Sequence, residues 1–457
     1  MSVPRLMLCG LEPGPAVALA AGALASAFSP RQVRPVTLGL DVPLWRLLYA
    51  AADKAPRVLD PVLHAGCAPE LYDRWSEGAD LVCFVAVAPA LDTWHGVAGS
   101  RPVEVAAQFD APVVLVVDAR DRGATAAAAA CGVKTLAPGA EPAGVIVVGG
   151  DDPSGELGEL LRRRVGLPVL GWLPPQLSEQ FTRQHAGPGP VRQLGPRPAR
   201  GSEARLCAEA ATFLDTEQLE AVAVRRGYLP RPGRSVFNPI AAGSGLRLAV
   251  AWGPPLQPFS LENIDVLQAA GLEFVPLNVA RDRALPEGVH GLLLAGHLDE
   301  EALADVSANR ELLGEIAAAV DAGLPTLATG GGALLLLRRL ADSHGRSHEL
   351  AGALPAEAEL LEWYERPRYV RATATRENPF DQGDNLLYEL FDLEFLVLEQ
   401  EAFAYSIADG DGPARAEGFA LRTCLATTLY PSLPHCPALA ARFIAALHAA
   451  SPWAPPR

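Results

Sequence analysis

Five apolar runs in the first part of the chain are too continuous to belong to a sheet with one wet face. They are RLMLC (5–9), DLVCFVAV (80–87), PVVLVVD (112–118), GVIVV (144–148) and PVLGWL (168–173). A strand exposed on one side alternates apolar and polar residues, whereas one covered on both sides need not. Stretches with helical patterning, the Ala-rich 122–131 and the Leu- and Arg-rich 155–164 among them, lie between these runs. Buried strands alternating with helices leave one economical solution, a parallel sheet with helices on both faces.

The pattern stops and then restarts. AGPGPVRQLGPRPARG (186–201) and GYLPRPGRSVFNPIAAGSG (227–245) are rich in Pro, Gly and Arg, and a helical stretch at about 203–226 lies between them. Beyond it, LRLAVAW (246–252), EFVPL (273–277), HGLLLAG (290–296) and PTLAT (325–329) alternate with helices expected over 260–270, 308–322 and 331–341. From about 357 the pattern turns β-rich, and a helix over 437–449 closes it. The expected fold class is α/β: two parallel-sheet-based three-layer domains joined by a Pro/Gly/Arg-rich linker and a short helical segment. The expected boundaries are 1–190, 191–245 and 246–457, the last domain carrying some antiparallel strands.

Net charge narrows the partners. At −15, the chain is a poor match for nucleic acid or an anionic membrane, and Arg162–Arg164 read as a solvated helix face. No apolar stretch is long enough for a membrane span, and MSVPRLMLCG lacks the pattern of a signal peptide. A cytoplasmic location is expected, with the seven cysteines reduced and mostly buried, since none shows CxxC spacing.

In open α/β sheets, ligands bind at the carboxyl ends of the strands. Two such places stand out. LMLCGLEPGPAVALAAGAL (6–24) has the strand, Gly/Pro loop and helix of a phosphate loop, with Gly10 and Gly14 in the turn. A working loop ends in Gly-Lys-Ser/Thr, because the lysine holds phosphates and the hydroxyl holds Mg²⁺. Here Ala16, Val17 and Ala18 stand at its end. The second place is PTLATGGGALLLL (325–337), a strand, tight turn and helix in which a nucleophile would be exposed. The residue at the turn is Gly330, which has no side chain. Backbone N–H groups near Gly296 and Gly331 could form a carboxylate or oxyanion pocket.

The order of several segments resembles cobyrinate a,c-diamide synthases. They are GADLVCFVAVAPALD and APVVLVVDAR in the first half, then RLAVAW, LENIDVLQAAG, ALPEGVHGLLLAG, ANRELLGEIAAAVDAGLP, ARAEGFA and PALAARFIAAL. The resemblance implies a dethiobiotin-synthetase-like domain joined to a class I glutamine amidotransferase domain. It also implies ATP- and glutamine-dependent amidation of tetrapyrrole carboxylates. The family's reacting positions fall on residues that cannot react. Its phosphate-loop Gly-Lys-Thr falls on Ala16, Val17 and Ala18, a second lysine on Thr37, and a metal carboxylate on Val85. The thiol of Glu-Cys-Gly-Gly falls on Gly330, after Thr329, and the late His-x-His on Tyr430 and Ser432. His435 is three residues out of register. Asp41, Asp60, Asp92 and Asp118 do match acidic positions and could line a ligand cleft; the plainer reading is that they cap helices and turns.

The apolar framework is kept while both reaction centres are emptied. The expectation is therefore a pseudoenzyme that binds a tetrapyrrole, an active amidase or pathway protein, or a second copy of itself. No catalytic residue, metal or cofactor is expected, and Mg-ATP enters only on the alternative of an active amidotransferase using glutamine or ammonia. A structural module with filled clefts is a third reading. Other residues read as structural: His344 and His348 sit in a loop-like stretch, and Cys424 and Cys436 read as buried thiols. Trp45, Trp94 and Trp172 could pack on a flat macrocycle, but core packing is the simpler role.

Overall fold

The computed structural model describes residues 3–28, 31–52, 54–120, 122–150, 155–185, 201–225, 229–230, 232–233, 235–237, 243–253, 255–257, 260–360, 368–389, 393–397, 402–408 and 414–455. The chain divides into two compact units, Met1–Gly233 and Arg234–Arg457.

In the first unit the described strands are β1 (Arg5–Gly10), β2 (Val33–Leu38), β3 (Arg57–Leu59), β4 (Leu81–Pro89), β5 (Val113–Asp118), β6 (Pro142–Val148) and β7 (Val169–Leu173). They form one parallel sheet in the order β3-β2-β4-β1-β5-β6-β7. β1 is central and buried along its whole length. The chain leaves it toward β2 and later returns through β4 to β5. The loops after β1 and β4 therefore meet at the carboxyl edge, where the strand order reverses.

β2 and β3 do not stand out as apolar runs. β2 carries Arg34, Pro35 and Thr37, and β3 has only three residues. Proline is tolerated because β3 pairs only with Val36–Leu38, so Pro35 has one neighbour, at Cys83 of β4.

The helix Pro15–Ala27 is buried from Ala16 to Ala25. A helix apolar on every side must be enclosed, and this one packs on the sheet, on the helix Val42–Ala52 and on the helix Ser202–Ala211. That last contact alters the expected linker. The stretch read as a helical segment of 191–245 forms two helices, Ser202–Ala211 and Thr216–Ala223, the second capped by Asp215 accepting from Gln218 N. Leu206, Cys207, Ala210, Leu214, Leu219 and Val222 share one core with β1 and the helix Pro15–Ala27. Trp172 N donates to Phe213 O at 3.1 Å and Asp215 N to Leu170 O at 2.8 Å, which closes the outer edge of β7. The segment thus belongs to the first unit; residues 191–200, 226–228 and 238–242 of the expected linker lie outside the described residues.

The second unit holds β8 (Arg247–Ala251), β9 (Leu256–Gln257), β10 (Glu273–Leu277), β11 (Gly291–Leu298), β12 (Thr326–Gly330), β13 (Arg339–Ala341), β14 (Ser347–Glu349), β15 (Ala356–Leu360), β16 (Arg368–Ala374), β17 (Asp384–Glu389), β18 (Leu393–Val397), β19 (Phe403–Ala408), β20 (Arg415–Leu421) and β21 (Cys424–Thr427). The described residues make a mixed sheet in the order β10-β8-β11-β12-β21-β20-β19-β16-β17, with β9 on β11. It is parallel from β10 to β21 and antiparallel beyond. A smaller sheet runs β14-β13-β15-β18.

The helix expected over 331–341 spans only Gly331–Leu335, and Arg339–Ala341 becomes β13. The next segment takes the carbonyls that a longer helix would need. Ala351 N donates to Leu335 O, Leu354 N to Leu336 O and Gly352 N to Leu337 O. Among the described residues, no helix is long and apolar enough to cross a membrane.

Candidate functional site

In the second unit, β11 and β12 lie side by side with Ala295 opposite Thr329 and Gly296 opposite Gly330. At Gly330 the strand breaks into the helix Gly331–Leu335 with φ 59° and ψ −125°. That conformation strains any residue with a Cβ. The three glycines are needed for different reasons. A Cβ on Gly331 would fall on Leu298 N and one on Gly332 on Leu294 O, so these two let the helix start lie directly on the backbone of β11. A Cβ on Gly330 would fall on the Tyr430 ring and hydroxyl.

Tyr430 follows β21. Its hydroxyl makes a long 3.4 Å contact to Gly296 O. Its backbone pairs with Tyr388 in both directions, Tyr430 N to Tyr388 O at 2.9 Å and Tyr388 N to Tyr430 O at 3.4 Å. Asn263 clamps the next residues, donating to Pro431 O at 2.8 Å and accepting from Leu433 N at 2.7 Å. Ser432 is buried, and its carbonyl accepts from His435 N and Cys436 N at the start of the helix Pro437–Ala449. His435 is exposed at that turn.

A cavity of about 20 Å³ remains, lined in part by Ser260, Asn263, Gly296, Thr329 and Tyr430. That is room for about one water. The carboxylate pocket expected between Gly296 and Gly331 is therefore not open. Tyr430 fills the space beside Gly296, and Gly331 packs on β11.

Glu417 in β20 is the organising residue that sequence reasoning missed. It is buried and accepts from Thr427 Oγ1 at 2.6 Å, Thr428 N at 2.9 Å and Thr428 Oγ1 at 2.9 Å. Burial raises its pKa, the Thr427 and Thr428 donors offset part of the rise, and the charge of Glu389 adds to it. The signal available was the pair of threonines just before Tyr430, two side-chain donors at a strand end. Burial pushes Cys424 and Cys436 up to about 12, with the charge of Asp381 adding to the effect at Cys436. Both are neutral thiols near pH 7, without the thiolate a nucleophile needs.

At the carboxyl edge of the first sheet, the loop after β1 is tied down on three sides. Ala90 N donates to Gly10 O at 2.9 Å, Leu11 N to Val116 O at 3.2 Å, and Glu12 pairs with Arg122 at 2.5 Å. Val17 and Ala18 face the core, and Val17 Cγ2 lies 2.7 Å from where a Cβ on Gly10 would be. A Cβ on Gly14 would meet nothing. Thr37 and Val85 are buried in β2 and β4.

The four matching aspartates lie at strand ends or the turns after them. Asp41 accepts from Leu44 N at 2.8 Å and caps the helix Val42–Ala52. Asp60 is buried and accepts from Val62 N and Leu63 N. Asp118 pairs with Arg120 Nε at 2.9 Å, and Asp92 is exposed in a turn. Capping and turn bonds thus occupy Asp41 and Asp60.

The three tryptophans are core residues. Trp45 donates to Pro56 O, Trp172 to Gly150 O, and Trp94 lies on Gly39. His344 and His348 do not share a helix face. His344 is exposed in the β13–β14 turn, and His348 Nε2 lies 3.1 Å from the buried Asp342. Ligand atoms of Glu300, Asp342 and His344 lie within 4.8 Å of one another. Asp342 already accepts from His344 N, Arg346 N and the Arg346 guanidinium.

Residues 247–386 match the CobB/CobQ-like glutamine amidotransferase domain. A hydrogenobyrinate a,c-diamide synthase of Streptomyces coelicolor is 30% identical, over 74% of this chain and 77% of its own length. A cobyrinate a,c-diamide synthase of Dehalococcoides mccartyi is 24% identical over 97% of this chain and 98% of its own. One from Methanosarcina acetivorans is 30% identical over 58% of this chain and 54% of its own, so that alignment spans about half of the relative. The matched domain covers β8 to β16, including the turn at Gly330, and ends within β17, while the alignment over 97% of the chain extends through the first unit. The chain belongs to the cobyrinate a,c-diamide synthase family.

Proposed function

We propose that this chain is a non-catalytic member of its family, a scaffold or regulator that binds a tetrapyrrole of the corrinoid or siroheme type, or a pathway protein. The observation that carries the reading is Gly330. The turn that would present a nucleophile is kept, its side chain is missing, and a tyrosine ring takes up the space. The buried thiols Cys424 and Cys436 do not replace it: both are neutral, and Cys424 lies opposite Thr326, at the other end of β12 from Gly330.

The first unit supports the same reading. Its loop offers Ala16, Val17 and Ala18 where a magnesium nucleoside triphosphate needs a cation and a hydroxyl. Arg122, which reaches the loop, is paired with Glu12. The residues present do not fit that cofactor.

The test is a titration of the purified protein with corrinoids and siroheme-type macrocycles, followed by absorbance, together with a search for a co-purifying partner. A saturable change without ATP turnover is expected from the macrocycle arm. Absence of both ligand and partner would defeat the reading. Macrocycle-dependent ATP hydrolysis above a heat-killed control would assign the family's amide-forming activity instead.

A further inference from the structure

We propose that Tyr430 is an internal occupant of the second unit, a fixed plug that holds closed a phenol-sized cavity beside Gly330. The inference rests on the second unit being non-catalytic, and goes beyond it by saying what holds the ring in place and what would enter if the plug were removed.

The plug is delivered by built structure. Glu417 gathers Thr427 and Thr428 at the end of β21, and Leu429 N donates to Thr427 Oγ1 at 3.1 Å. The next residue is Tyr430, fixed through its backbone to Tyr388. Asn263 then holds the chain on the far side with both ends of its amide. The ring is thus positioned from β20, from β17 and from the helix Leu261–Ala269.

Its setting is that of a bound ligand. The residue is only 6% exposed, although it lies at the carboxyl edge of parallel strands, where such folds bind small molecules. The small cavity left beside it, which Tyr430 helps to line, has Ile264, Leu293, Leu327 and Leu433 among its apolar walls, and the carbonyl of Gly296 faces the hydroxyl. A ring with one hydroxyl donor fits that lining. Gly330 is the complementary half, since a Cβ there would occupy the volume of the ring. The ring can stand there only because residue 330 has no side chain.

The experiment reads cavity filling, independently of amidase activity and macrocycle binding, so its failure is distinct from failure of the proposed function. Tyr430→Ala, Tyr430→Phe and the wild type are melted with and without millimolar p-cresol, the tyrosine side chain as a free molecule. Tyr430→Ala should melt about 10 °C lower and recover part of that loss in p-cresol. The wild type and Tyr430→Phe should not respond. A folded Tyr430→Ala protein indifferent to p-cresol, or an equal response in the wild type, overturns the proposal. Should Tyr430→Ala not fold, Gly330→Ala is compared alone and combined with Tyr430→Leu, which withdraws the far end of the ring. The plug requires Gly330→Ala to lower the melting temperature less in the Tyr430→Leu background than in the wild type. An equal or larger loss there refutes it.

Discussion

At the scale of single residues, the turn between β12 and the helix that follows it carries a glycine, and a tyrosine ring lies where that glycine's side chain would be. Gly330 was legible in the sequence, because a strand, a tight turn and a helix announce the elbow whatever stands on it. Tyr430 was legible only through the family resemblance, as the residue standing where a histidine is expected. That its ring lies on Gly330 is a contact across 100 positions of the chain, and no local pattern carries such information. Glu417 was hidden for a similar reason, since its donors come from the next strand. Its burial gives a pH signature. Glu417 has a raised pKa, so the native chain holds a proton over a range in which the unfolded chain has lost it. The native state then binds more protons, and stability falls as pH rises through that range. The full benefit is present below the ordinary value of 4.5 and is gone above the raised one. Glu417→Gln removes this dependence. In urea unfolding followed across pH, the wild type should gain stability relative to the variant as pH falls toward 4.5. A constant difference across pH would show that Glu417 is ionised alike in both states.

At the scale of elements, the long buried strands were readable as continuous apolar runs, and β1, β4, β5, β6 and β7 lie close to where those runs predict. The failures share a cause. β2, β3 and β13 are short or polar, and form only because neighbours pair with them. The helix after Gly330 is cut short by carbonyls given to residues 351–354. The β13–β14 turn is a tertiary construction of the same sort. Asp342 is completely buried and bonds His348, the Arg346 guanidinium, and the backbone of His344 and Arg346. Burial alone would raise its pKa, but these donors outweigh it and hold the carboxyl below the usual carboxylate range. Here the sign is opposite to that of Glu417. The stability Asp342 confers is present above the ordinary 3.8 and is lost as pH falls through the depressed value. Asp342→Ala removes the carboxylate that accepts from these part-buried donors and should cost about 2 kcal/mol near neutral pH, read as a lower urea midpoint. A change within about 0.5 kcal/mol, the range of ordinary surface substitutions, would mean that the turn holds without its carboxylate.

At the scale of the molecule, only the second of the two composition breaks, 227–245, holds the division between the compact units. Pro, Gly and Arg mark 186–201 as the end of a domain, whereas the compact unit runs to Gly233. Composition reports where a chain has no regular pattern. It does not report whether the next patterned segment folds back onto what came before. The helices Ser202–Ala211 and Thr216–Ala223 do fold back. They cover the outer face of the helix Pro15–Ala27 at Gly22, where a Cβ would fall on Cys207, and they close the edge of β7. Burying a leucine or valine side chain contributes about 1.5–3 kcal/mol. Leu206, Leu214, Leu219 and Val222 together contribute on the order of 10 kcal/mol, comparable with the net stability of a whole domain. A fragment ending at residue 190 would lose that contribution, bare an Ala-rich helix and leave a sheet edge unpaired. Residues 1–233 and 234–457 should therefore each express as soluble fragments with cooperative urea transitions, whereas residues 1–190 should aggregate. A soluble, cooperatively unfolding 1–190 fragment would mean that the two helices decorate a core complete without them.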